Sequence, residues 1–404
     1  MTMNLEQARQ HFMDGVVNFE ARQLKEALAD FEAARALAPQ RASVLGNLGI
    51  TQFHLGLWPE AVLSLQQALA VEADYLEARA FLGLSHEACG HWAEAAMQLE
   101  QALPQIDIGP AAWLALGRSL GMLGRLHEAL PALDRALAAK SDMAEAWSVR
   151  GNVLRDLERL DEAAECFARA IQHGADPELH AYYLAAARGE HLPAPPRHFV
   201  ENLFDEYSVD FDEHLVEWLD YRGHERLLQP LLENGRRYRE VLDLGCGTGL
   251  CGEFLAPHAD AIDGIDLSSA MLAKARSRGV YRSLAHGDIA EQLTRLQTSY
   301  DLVIAADVFI YVGALEAVFA GVRRILQPGA CFAFTLERCA PEETKETKEA
   351  DQGYRLLPTL RYAHSEAYVR RLADEYGFRA RALHTAPLRT DQNDTLDALY
   401  VYLD

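Results

Sequence analysis

Cysteine is scarce in this chain and poorly placed for bonding. Cys89, Cys166, Cys246, Cys251, Cys331 and Cys339 include no CxxC pair, so neither a disulfide framework nor a thiolate metal site is indicated, and no metal is expected. Basic runs are missing as well. Lys and Arg number 38 against 60 Asp and Glu, a formal net charge of −22, so a polyanion is repelled and no nucleic acid partner is expected. No apolar run approaches the roughly eighteen residues that cross a bilayer. The opening MTMNLEQARQHFMDG lacks an apolar core flanked by bases. The expectation is a cytoplasmic chain with no membrane partner. What remains is a globular composition, 50% hydrophobic and 24% charged, in a length that calls for two or three domains.

The first half repeats itself. Gly15, Gly49, Gly83, Gly117 and Gly151 stand 34 residues apart. So do Ala27, Ala61, Ala95, Ala129 and Ala163, and then Ala34, Ala68, Ala102, Ala136 and Ala170. Phe31, Leu65, Leu99, Leu133 and Phe167 keep the same phase. A small residue on one helix and a small–large–small stripe on the next describe two antiparallel helices in close contact. One such hairpin cannot bury both faces, so neighbours stack into a superhelix. On these residues the segment 8–177 resembles the tetratricopeptide-repeat family, although the proline that usually closes a repeat survives only as Pro39. Residues 177–188 read as a capping helix, which puts an all-α solenoid over 1–190. The resemblance implies a concave face that holds a protein or peptide. Here that face carries Phe12, Val16, Phe19, Ile50, Phe53, Leu84, Leu114 and Met122. The alternatives are packing on the chain's own second domain and assembly into a homo-oligomer.

A Pro-rich junction at 189–196 separates this array from a domain over 191–404, whose opening segment 197–234 reads as a helical lid. Apolar runs at 240–244, 259–265, 282–285, 300–305 and 330–336 then alternate with amphipathic helices at 249–256, 269–277 and 313–326. This alternation argues for a doubly wound α/β fold, Rossmann-like, with a parallel sheet covered on both faces. Residues 378–383 and 396–403 are both strand-like with only a loop between, a terminal antiparallel hairpin that brings the sheet to seven strands.

The segment VLDLGCGTG at 241–249 ends a buried strand in an acid and a glycine turn, and a helix follows. Residues 247–252 also match GxGxxG, a weak dinucleotide signal. Asp243 argues against a pyrophosphate, whereas an acidic turn suits a ligand that carries a sulfonium and an ammonium and no phosphate. The nonapeptide, with the acids after it, resembles the class I S-adenosylmethionine-dependent methyltransferase family over about 197–404. The resemblance implies S-adenosylmethionine as donor and S-adenosylhomocysteine as product. It places Asp243, Gly245, Cys246 and Gly247 around the methionine part of the donor. Asp266, preferred over Asp263, would accept from both ribose hydroxyls. Leu267 and Met271 line the adenine or belong to the core. Asp288, with Ile289 beside it, accepts from the adenine amino group or caps a loop. Asp307 ends the fourth strand, and three roles stay open for it: binding the ammonium, orienting the acceptor, or capping a helix.

Two segments concern the acceptor. Tyr207 and His214, in 204–215, either close over the donor or sit on an amphipathic docking helix. The insertion 353–364 offers Arg361, Tyr362 and His364 for acceptor contact, with His364 a candidate base although a lone histidine is more often structural. The function expected is methyl transfer to a protein or peptide held by the repeats. The alternative is a small-molecule methyltransferase whose repeats serve assembly. A scaffold that only senses the donor is disfavoured by the intact Gly245, Gly247, Asp266 and Asp288.

Overall fold

The computed structural model describes residues 2–208, 221–339, 353–391 and 394–404. The chain divides into two compact units, Met1–His180 and Ala181–Asp404.

In the first unit five helix pairs follow one another: α1 (Thr2–Glu20) with α2 (Leu24–Leu37), α3 (Ala42–His54) with α4 (Trp58–Val71), α5 (Leu76–Ala88) with α6 (Trp92–Ala102), α7 (Pro110–Met122) with α8 (Leu126–Ala139), and α9 (Ala144–Asp156) with α10 (Leu160–Gln172). Five crossings show why this sequence builds them. A methyl group on Gly15 would stand 2.8 Å from the Phe31 ring. On Gly49, Gly83, Gly117 and Gly151 it would stand 2.5, 2.6, 2.5 and 2.5 Å from Leu65, Leu99, Leu133 and Phe167. All five large partners are fully buried, as are the in-phase alanines. Burying each large side chain contributes about 1.5–3 kcal/mol, and the contact exists because the facing position carries no side chain.

Of the residues expected on the concave face, Ile50 and Leu114 are buried, Phe12, Val16, Phe19, Phe53 and Leu84 are half-buried, and Met122 is exposed. Ile50 is lost to that face because it joins the core between neighbouring hairpins, with Leu45, Leu65 and Leu82.

The turn inside each pair is left-handed at one position in phase: Arg22, Gly56, Gly90, Gly124 and Glu158, with φ of 61°, 76°, 75°, 72° and 59°. A Cβ at Gly56 or Gly124 would meet nothing within 4 Å, so a side chain there strains the backbone alone. Glu158→Gly is therefore expected to stabilise the chain by about 0.5–1 kcal/mol, after allowing for glycine's larger unfolded-state entropy. A higher denaturation midpoint is the expected reading; a lower one would mean that this turn is not strained.

The last helix of the series, α11 (Pro177–Arg188), is where the division falls, and not after residue 190. His180 bonds Ser148 of the repeats (2.8 Å). From Ala181 onward the helix belongs to the second unit: Tyr182, Ala185 and Ala186 join its core, and Tyr182 Oη donates to the Leu360 carbonyl (2.8 Å).

In that unit β1 (Tyr238–Leu244), β2 (Ala259–Asp266), β3 (Ser283–His286), β4 (Tyr300–Ala305) and β5 (Leu326–Arg338) run parallel in the order β3-β2-β1-β4-β5. β9 (Asp394–Leu403) pairs antiparallel with β5 and with β8 (Ala380–Asp391), the terminal hairpin. Two short strands, β6 (Tyr354–Leu356) and β7 (Tyr362–His364), extend the sheet beyond the seven expected. Side chains alternate between two cores. Leu242, Leu244, Val303, Phe332 and Phe334 face one way, and Val241, Leu302, Ile304, Cys331 and Ala333 the other.

Around the sheet lie α12 (Arg197–Tyr207), α13 (Gly223–Leu228), α14 (Leu250–Leu255), α15 (Ser269–Arg278), α16 (Ile289–Arg295), α17 (Glu316–Ile325) and α18 (Glu366–Glu375). Helix α17 starts at Glu316, later than the expected 313. Gly313 is pinned first: its carbonyl accepts from His364 Nε2 (2.9 Å), and a Cβ there would lie 2.6 Å from the Pro193 carbonyl. No helix among the described residues is long and apolar enough to cross a membrane.

Candidate active site

The strand order reverses between β1 and β4, and a cavity of about 640 Å³ opens at the strands' carboxyl ends. Its floor is the glycine turn after β1. The Cys246 N–H donates to the Ile265 carbonyl (3.0 Å), which ties the turn to β2. At the end of β2, Asp266 accepts from the Gly247 N–H on one oxygen and from the Ser268 N–H on the other, both at 2.8 Å. Burial raises its pKa against the pull of those N–H groups. Each oxygen keeps lone-pair capacity for a further donor.

Beyond β3, Asp288 lines the cavity and also caps α16, accepting from the Glu291 N–H (3.0 Å). Beyond β4, Asp307 lines it with φ of 58°, a left-handed conformation that aspartate tolerates better than most side chains. Its N–H donates to Thr335 Oγ1 on β5 (2.8 Å). Leu267, Met271 and Ile289 supply apolar wall. A fourth acid, Glu291, lines the cavity, while the two lining arginines are already ion-paired: Arg197 with Glu201 (2.8 Å) and Arg361 with Glu337 (3.0 Å). Such a surface repels a pyrophosphate and suits a cationic ligand.

A family model described as "Methyltransferase domain" matches residues 241–329, and one described as "Tetratricopeptide repeat" matches 13–70 and 114–179. The second unit carries a methyltransferase domain, and the first is built of tetratricopeptide repeats.

Among curated relatives, a malonyl-[acyl-carrier protein] O-methyltransferase of Geobacter sulfurreducens is 33% identical over 145 residues, 35% of this chain and 53% of that protein. A ubiquinone biosynthesis O-methyltransferase of Pseudomonas aeruginosa is 29% identical over 131 residues, 30% of this chain and 50% of that protein. The chain thus spans about half the length of the curated relatives it matches. Among solved structures, magnesium protoporphyrin IX methyltransferase from Synechocystis aligns with a TM-score of 0.40 at 19% identity, covering 52% of this chain and 99% of that one.

The methyltransferase domain gathers Gly245, Cys246, Gly247, Asp266, Leu267, Met271, Asp288, Ile289, Asp307 and Arg361 around the one cavity. Three expected residues are elsewhere. Asp243 lies behind the turn, fully buried, and accepts from Tyr281 Oη (2.7 Å). Burial, with the Asp266 charge added, pushes its pKa up to about 7 against that hydrogen bond. It supports the turn and does not face the cavity. Tyr362 is buried in the core. His364 is also fully buried, facing Tyr354 and Tyr368 (ring centroids 5.9 and 6.0 Å), so the expectation of a base at the cavity is corrected. The competitor Asp263 is occupied by Arg282, Ser283 and Tyr300. His214 and the Tyr207 side chain lie outside the described residues.

Two contributors were missed. Tyr281, 38 positions from Asp243, also accepts from the Gly252 N–H (3.2 Å) and holds turn and helix together. Such a link has no sequence signature. His224 lines the cavity from α13, inside a segment read only as a lid.

Burial drives the His364 pKa down to about 4, below its ordinary 6.5. Between those values the unfolded chain binds the extra proton, so this residue's contribution is intact above pH 6.5 and is lost as pH falls toward 4. The expected loss is about 3 kcal/mol of domain stability, read from denaturation midpoints across that range. Asp243, raised to about 7, contributes the opposite slope over this range, so the reading is the difference from a His364→Gln variant; a difference that does not change with pH would show that His364 titrates normally.

The two turn glycines are expected to respond differently to alanine. At Gly247 (φ 53°) a Cβ meets no protein atom within 4 Å, so the variant folds with about 1 kcal/mol of strain and loses donor affinity. At Gly245 a Cβ falls 2.5 Å from the Val308 side chain, so stability falls first. Thermal melts with and without S-adenosylhomocysteine separate the two; equal donor affinity in wild type and Gly247→Ala would place the ligand elsewhere.

Proposed function

We propose that this chain moves the methyl group of S-adenosylmethionine to an acceptor borne by a protein or peptide that the repeat array recruits. The observation that carries the donor half is Asp266: its two oxygens are held by the Gly247 and Ser268 N–H groups at the cavity wall, set to accept from a vicinal diol. When bound, the donor supplies a sulfonium methyl open to in-line displacement. In this reading Asp266 takes the ribose hydroxyls and Asp288 the adenine amino group with the capacity left after capping α16. Asp307 stands at the β4 end, where the ammonium and the acceptor meet.

The remaining work is alignment and exclusion of water. Helix α12 is pinned over the donor side, since Asp205 accepts from Ser268 Oγ (2.5 Å) and the Ala270 N–H (3.3 Å). Its Phe204 meets the Tyr311 ring edge-on (centroids 5.1 Å) above an apolar wall that includes Val200 and Leu203.

The acceptor half draws support from the repeats, a scaffold that commonly binds polypeptide, and from the Geobacter relative's name, which describes an acceptor on a carrier protein. The Pseudomonas relative's name, from ubiquinone biosynthesis, favours the second reading, a small-molecule acceptor with repeats for assembly. Six free cysteines fit a reducing compartment such as the cytoplasm. The test is incubation of the full chain with methyl-labelled donor and cell extract. Label in protein supports the first reading, and label only in dialysable material supports the second.

A further inference from the structure

The donor is a zwitterion at its amino-acid end, and a cavity rich in acid has to place a carboxylate. Asp266, Asp288, Glu291 and Asp307 all repel it, and Arg361 and Arg197 are engaged with Glu337 and Glu201. One lining side chain with N–H capacity is uncommitted. His224 is 8% exposed, and its wholly buried Nδ1 has no hydrogen-bond partner among the described residues. A ring nitrogen buried without a partner costs about 1–3 kcal/mol in unmet hydrogen bonding, a cost that a purely structural histidine normally avoids.

Its orientation is set by packing. The ring stacks on Tyr221 (centroids 5.4 Å, 21°) and meets Phe254 of α14 edge-on (6.2 Å, 87°). Helix α13 thereby stands against α14, the helix that follows the glycine turn. With adenine toward Asp288 and ribose at Asp266, the donor's amino acid extends past Gly247 to that side of the cavity. We propose that His224 is a donor-binding residue that holds the amino-acid carboxylate of S-adenosylmethionine through an imidazole N–H. This rests on the donor reading given above.

Burial lowers the His224 pKa, with Arg222 and Arg278 adding to the effect and Glu225 opposing it. The neutral ring therefore donates one hydrogen bond, and a bound carboxylate draws the pKa back up.

Two probes separate this role from a structural one. S-adenosylhomocysteine carries the amino acid, and 5′-methylthioadenosine lacks it. Calorimetry on the full chain is expected to show His224→Ala weakening S-adenosylhomocysteine about tenfold, a typical single hydrogen bond, with 5′-methylthioadenosine unchanged. His224→Gln, whose amide also donates, is expected to recover part of the loss. Equal weakening of both probes would reduce His224 to a packing residue and overturn the proposal. Unchanged affinity for both, with a lowered kcat, would make it an acceptor-side group and overturn it as well. Failure of S-adenosylhomocysteine to bind the unaltered chain would instead remove the donor reading itself.

Discussion

Asp266→Ala is expected to weaken S-adenosylhomocysteine binding by a hundredfold or more. Two ribose hydroxyls donating to a charged acceptor are worth about 1.5–3 kcal/mol each, and about 1.4 kcal/mol is a factor of ten. The same carboxylate accepts from the Gly247 and Ser268 N–H groups, so alanine also leaves two backbone donors unmet and lowers the melting temperature. Asp266→Asn separates these effects. Its size matches, its carbonyl still accepts, but its amide cannot take a second hydroxyl proton. Calorimetry on the folded Asn variant is the decisive measurement. Affinity within a factor of two or so of the unaltered chain would take Asp266 out of the donor site.

Removing the repeats is expected to have the second largest effect. A fragment should begin at Asp176 and not at Arg197. Asp176 caps α11 through the Glu178 and Leu179 N–H groups, and Tyr182, Ala185 and Ala186 belong to the methyltransferase core. This fragment is expected to bind S-adenosylhomocysteine as the full chain does, since every residue lining the cavity is inside it. Its kcat/KM on a macromolecular acceptor is expected to fall about a hundredfold, because a second attachment point sets the local acceptor concentration. Phe53→Glu is a milder version of the same cut. Phe53 sits in a ring cluster with Phe81 and His54 (centroids 5.4 and 5.5 Å), so the charge disturbs the array's surface and packing together. Full kcat/KM in the fragment would favour the small-molecule reading.

The sequence by itself determined the two architectures and most of the cavity wall. A period of 34 residues with glycine facing Phe or Leu is a steric statement that needs no coordinates: each pair fits only if one member lacks a side chain. The glycine turn, Asp266, Asp288 and Asp307 were equally legible, because each follows directly on an apolar strand and the strands' carboxyl ends converge. Tertiary structure decided what distance along the chain conceals. Asp243 belongs behind the turn because Tyr281 reaches it from just before β3, and Asp263 is excluded because Arg282 and Tyr300 claim it. His364 looks as reactive in sequence as His224. One lies buried against the Gly313 carbonyl and the other lines the cavity with its Nδ1 unmet, a difference made wholly by which elements pack around them. Residue type announces a capacity for chemistry, and only packing settles whether solvent or ligand can reach it.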